Sequence, residues 1–200
     1  ARADRSYAPW HDLEAIMRAE GIPLFSVEHH TPASEFDVIA FGVSAALTYT
    51  NVVNCIDLAG LALHAVDRAG DDTLVMVGGH CTYNPEPIAD FVDVVVLGDG
   101  EEVVGELTSV IAEWKRHCSV GSGEPDRSQL LLAIAQVEGC YVPSLYEPTY
   151  HNGRFTGLVA RDSQAPASIE KRTIADLGEW PYPKEQLSPL TEVVHDRLNV

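Results

Sequence analysis

Three short segments of this 200-residue chain combine residue types able to hold a ligand: Ser44 to Thr48, Gly78 to Thr82, and Gly98 to Glu101. Each follows an apolar run. Gly98-Asp99-Gly100-Glu101 stands between a strand-like and a helix-like stretch, and exposed amides at a helix start suit an anion such as phosphate. No third glycine completes a G-x-G-x-x-G fingerprint, and Asp99, Glu101 and Glu102 would repel a bare phosphate. Gly78-Gly79 would let backbone approach a ligand closely and permits positive φ. A tight turn uses such a pair equally well. Ser44, Thr48, Tyr49, Thr50 and Asn51 line the exit of another apolar run. Their hydroxyls and the Asn51 amide could bond a ligand or cap the next helix, and capping suits Thr50 or Asn51 best.

Other reactive types are scattered. His80 has no partner at metal-ligand spacing and reads as polar lining; His29-His30 and His64 have less context still. No Ser-His-Asp arrangement is legible. Cys55, Cys81, Cys118 and Cys140 are too far apart for a zinc or redox pair. They read as buried free thiols, not as a disulfide framework.

The net charge of −17 reads as solubility and argues against a nucleic-acid binder, which needs clustered Lys and Arg. No run approaches the ~20 apolar residues of a membrane helix. The start lacks a signal-peptide pattern, so the expected location is the cytoplasm.

The elements that must position these segments alternate. Helices are expected at Trp10–Glu20 (Leu13, Ile16 and Met17 on one face, Gly21 at the end), Thr50–Leu63, Glu101–Arg116 and Gln129–Val137, with a short one at Pro85–Phe91 capped by Asn84. Leu24–Glu28 reads as a short extended piece. Apolar strands are expected at Asp37–Val43, Leu74–Val77 and Val92–Leu97. Alternation of this kind predicts an α/β fold, a Rossmann-like doubly wound parallel sheet with helices on both faces. Its ligands bind beyond the carboxyl ends of the strands, where the three polar segments fall. Asn152-Gly153 predicts a hairpin between Tyr141–Tyr150 and Phe155–Ala160. Prolines at 166, 181, 183 and 189 then predict an extended arm. Residues 1–118 form the expected α/β domain, 119–139 a linker and helix, and 140–200 a poorly self-supporting hairpin and arm.

The stretches VIAFGVSAALTYTN and LVMVGGHCTYNPEPIADFVDVVVLGDGEEV resemble the flavodoxin-like cobalamin-binding domain of B12-dependent-type radical SAM proteins. SYAPWHDLEAIM, NPEPIADF, YVPSLYEPTY and VVHDRLNV resemble, more narrowly, one radical SAM family with an amino-terminal B12-binding-like domain. In that family the segment like VVHDRLNV leads into cluster-binding cysteines, and a strand and helix precede the segment like RSYAPW. The resemblance therefore implies a fragment at both ends, with one sheet position unfilled or differently filled.

Cobalamin is the cofactor this resemblance implies, positioned over the carboxyl edge of the sheet. Ser44 and Leu47 lie near the family's Ser-x-Leu position, with Ser-x-x-Leu spacing here. Gly78 and Gly79 match the pair that admits the nucleotide tail; Thr48 lies alongside, and Gly98, Asp99, Gly100 and Glu101 flank the same tail. The Asp-x-His-x-x-Gly motif whose histidine ligates cobalt is absent. The domain would thus bind cobalamin without that ligand, or keep the fold as a scaffold that docks and shapes its partner, its own downstream radical SAM domain. A third class is a flavodoxin-like nucleotide binder. The C-x-x-x-C-x-x-C motif is also absent, so [4Fe–4S] and S-adenosylmethionine are assigned to that downstream domain, and this chain is expected to be inactive alone.

Overall fold

The computed structural model describes residues 2–68, 70–120 and 126–181. Helix α1 (His11–Glu20) carries Asp12 and Glu14 in its first turn and Arg18 in its last, as the helix dipole favours. Gly21, at φ 64°, ends it and donates its amide to the Met17 carbonyl. Of the three residues expected on one apolar face only Met17 is buried; Leu13 and Ile16 stay exposed. Leu24–Glu28 contributes no strand, only a bridge from Phe25 to Pro32.

The valine-rich runs form the sheet. Strands β1 (Val38–Gly42), β2 (Leu74–Gly78) and β3 (Val94–Val96) pair in parallel, and helix α2 (Tyr49–Leu58) connects the first two. The sheet continues beyond β3 in an unforeseen way. Helices α3 (Gly100–Val120) and α4 (Arg127–Ala135) lead to strand β4 (Cys140–Tyr141), which pairs antiparallel with β3. The strand order is β1-β2-β3-β4, a mostly parallel α/β sheet. Pro143 then opens a short turn, so the expected strand from Tyr141 is broken and the hairpin strands are β5 (Tyr146–His151) and β6 (Arg154–Ala160).

Alternation along β2 puts helices on both faces. Leu74 and Met76 pack with Val103, Leu107 and Ile111 of α3 and Leu130 and Ile134 of α4. Val75 and Val77 pack with Val52 and Ile56 of α2. Each side chain buried this fully contributes about 1.5–3 kcal/mol. β1 is the outer strand, and beside it lies a cavity of about 300 Å³ lined by Tyr7, Leu24, Phe36, Phe41 and Val52.

Element ends differ where tertiary contacts decide them. α3 runs on to Val120, so Lys115 and Arg116 are not its last turn; Lys115 instead pairs with Asp37 at 2.5 Å. α2 stops at Leu58, and Thr48 rather than Thr50 or Asn51 precedes it, without a side-chain cap. Pro85, not Asn84, leads into the 3₁₀ turn Glu86–Phe91. Asp126 caps α4, accepting from the amides of Ser128 (3.0 Å) and Gln129 (3.4 Å).

The residues assigned from sequence to an appendage contribute to the sheet and its core. Cys140 and Tyr141 are strand residues, and Tyr146 and Ala165 are buried against the α2 face. The physical reason is that β3 would otherwise be an unpaired edge. The segment VVHDRLNV and the prolines at 183 and 189 lie outside the described residues.

Candidate functional site

Parallel pairing brings the three expected segments to one edge. The Val43 amide donates to the Gly78 carbonyl at 2.7 Å, and the Cys81 amide donates to the Val43 carbonyl at 3.1 Å. The β1 and β2 exit loops are thereby laced together. The Tyr49 hydroxyl, 3.0 Å from the Cys81 carbonyl and 3.1 Å from that of Asn84, adds the start of α2 to the lacing. The buried Thr82 hydroxyl lies 2.7 Å from the Gly79 carbonyl and 3.0 Å from that of Val96, which joins this loop to β3.

Within that lacing Gly79 is constrained by protein. Its φ is 113°, and a β-carbon there would stand 2.7 Å from the Val43 carbonyl oxygen. Gly78 has no such demand: the nearest atom, on Val96, would be 3.9 Å away. Ser44 and Leu47 point outward, Leu47 with 90% of its surface exposed. The Thr48 hydroxyl donates locally to the Ala45 carbonyl at 2.7 Å. His80 is exposed. Among the described residues no group of three His, Cys, Asp or Glu side chains could hold a metal ion.

The third segment meets a part of the chain that sequence reasoning did not connect with it. Gly98 has φ 99°, and a β-carbon there would lie 2.8 Å from the Arg172 nitrogen and closer still to its carbonyl oxygen. The Arg172 amide donates to the Leu97 carbonyl (2.9 Å), and the Asp99 amide donates to the Arg172 carbonyl (3.1 Å). The Asp99 carboxylate accepts from the Ile174 amide at 2.8 Å. Arg172 Nε and Nη2 lie 3.0 and 2.9 Å from Glu102, and Nη2 lies 2.5 Å from Glu106. These pairs hold the guanidinium above its usual value and the Glu106 carboxyl below its own. Gly139 completes the seat: at φ 84°, its β-carbon would stand 2.8 Å from the Leu97 carbonyl. Gly100 and Glu101 remain exposed at the start of α3.

The cofactor implied by the resemblance can be tested on this geometry. A nucleotide tail threaded past Gly79 and Gly98 needs the space that missing side chains leave. Protein backbone takes that space at Gly79 and Gly98, while no backbone atom takes it at Gly78 or Gly100. Among the described residues the cysteines do not gather into a group that could hold a metal. Cys55 and Cys140 are buried in different core clusters, and burial pushes the Cys140 thiol up to about 12.

A second polar centre, missed by the sequence reading, lies at the opposite edge, where β2 and β3 begin. Asp93 is sandwiched between Arg68 (2.8 Å) and Arg127 (3.0 Å) and accepts the Val75 amide (2.8 Å). Arg68 also donates to the carbonyls of Ala62, Leu63 and Phe91. Arg127 also donates to the carbonyls of Asp72 (2.6 Å) and Thr73 (3.4 Å), its Nε alone lacking a partner among the described residues, so both arginines are committed to the fold and this centre is structural.

A mostly parallel sheet with helices on both faces and loops gathered at its carboxyl edge defines a mixed α/β domain. The family of radical SAM proteins, amino-terminal domain, matches residues 1–143, and the chain belongs to that family. No curated protein and no solved structure matches it.

Proposed function

We propose that this chain serves a radical SAM enzyme as an amino-terminal scaffold that docks and shapes the radical SAM domain and binds no cofactor of its own. The observation that carries this reading is the seat at the β3–α3 turn, where the chain's own Arg172 backbone stands in the place open to a phosphate. S-adenosylmethionine and its [4Fe–4S] cluster belong to the partner domain in this reading, and the setting is cytoplasmic. No helix of the described residues is long and apolar enough to cross a membrane.

One observation favours a second reading, a cobalamin module. Ser44 and Leu47 leave the carboxyl end of β1 uncovered, so a corrin could rest there without a tail buried past Gly79. Titration of the purified chain with hydroxocobalamin, followed by absorbance and calorimetry, separates the two. The scaffold reading expects no spectral shift and no heat beyond dilution. Stoichiometric binding replaces it with the cobalamin reading.

A further inference from the structure

We infer that residues 164–174 are an intramolecular peptide ligand of the α/β domain, docked reversibly at the β3–α3 turn through Arg172. The contact has the form of peptide recognition at a strand end. Arg172 adds one parallel rung to the carboxyl end of β3, at Gly98. Its amide and carbonyl are both bonded, to Leu97 and Asp99, and the Ile174 amide is read by the Asp99 carboxylate. Glycines at 98 and 139 leave the seat without side chains where the strap passes. One cation anchors it: the Arg172 side chain, 11% exposed, lies against Glu102 and Glu106 on the first two turns of α3.

The rest of the attachment is light. The Tyr146 hydroxyl donates to the Pro166 carbonyl (2.7 Å), and Gln136 donates to the Gln164 carbonyl (2.9 Å). Ala165 is the one buried hydrophobic residue of the strap, with Ile169 partly buried beside it. A segment held by backbone bonds, one cation and one small buried side chain opens at lower free energy than the sheet core it lies on. Undocking exposes the Asp99 amide at the start of α3 and leaves Glu102 and Glu106 without their cation. The inference stands whether or not the domain binds cobalamin, because it concerns the chain's own segment.

The test is residue-resolved amide hydrogen exchange on the whole chain, comparing the parent with Arg172→Glu, Gly98→Ala and Lys171→Glu. The first variant reverses the anchor and the second blocks the seat without changing charge. The third makes the anchor's charge change at an exposed neighbour. The Asp99 and Ile174 amides are expected to exchange at least tenfold faster in Arg172→Glu and Gly98→Ala, and as in the parent in Lys171→Glu. Val75 and Val77 are expected to keep their protection in all four proteins. The inference is overturned if those two strap contacts are unprotected in the parent, if either docking variant leaves them protected, or if Lys171→Glu releases them equally. Loss of protection at Val75 and Val77 together with the strap also overturns it, because the segment is then part of the cooperative fold. Cobalamin binding by the parent would sink the scaffold reading and leave these outcomes unchanged.

Discussion

Gly98 and Arg172 meet backbone to backbone: a β-carbon on Gly98 would stand 2.8 Å from the Arg172 nitrogen, inside any tolerable contact. A glycine that resembles part of a cofactor motif thus has a complete explanation within the chain. The same holds for Gly79 against Val43, and the explanation has measurable consequences.

Gly79→Val is expected to destabilise the chain by about 2–4 kcal/mol with no ligand present. The sum combines a φ of 113°, which side chains rarely adopt, with the overlap on the Val43 carbonyl. Urea unfolding of the two proteins reads this directly. An unchanged midpoint would return the glycine to a ligand role.

Asp93→Ala is expected to cost about 3–5 kcal/mol, because it strands two arginines, of which Arg68 is fully buried, without their shared anion. Far-ultraviolet circular dichroism under urea is the measurement. A loss below about 1 kcal/mol would mean that solvent reaches the cluster and satisfies the arginines.

The four thiols should fall into two classes at pH 8. Cys81 and Cys118 are half-exposed and should react with an aromatic disulfide reagent in the native protein. Cys55 and Cys140 should react only on unfolding, since burial raises both thiols, Cys140 from 9.0 to about 12. The linkage has a definite sign. A raised folded value favours the native state fully below pH 9 and loses that advantage as pH rises toward 12. Cys140→Ser should therefore flatten the alkaline fall in melting temperature, and an equally steep fall would refute the assignment.

In acid the sign reverses. Bonds from the Arg5 backbone and side chain hold Glu28 down at about 2, and Arg172 holds Glu106 low. The stabilisation is fully present above the ordinary carboxylate value of 4.5 and is lost as pH falls toward 2. Melting curves from pH 6 to pH 2.5 should fall through that window. Glu28→Gln should fall less steeply, modestly so because its partner Arg5 is exposed and screened. Identical slopes would remove Glu28 from the account.

The sequence by itself determined the layer architecture. Strands buried on both faces must be apolar at every position, so Leu74–Gly78 and Val94–Val96 announced themselves as parallel, and Val38–Gly42 carries the same apolar run although, as the outer strand, it is only partly buried. The hairpin was equally legible: Asn152 and Gly153 adopt φ 49° and 73°, the two positive values that a tight two-residue turn demands and that few residue types tolerate. Such signals are local, written in residues adjacent along the chain. Only the tertiary structure decided what the glycines are for and where the arm goes. Whether Gly79 makes room for a ligand or for Val43 depends on which atom faces the missing β-carbon. Cys140–Tyr141 became a sheet strand because β3 offered an unpaired edge. Arg172 carried no local signal, since its partners Glu102 and Glu106 lie 70 and 66 residues away along the chain and meet it only once α3 has packed on the sheet.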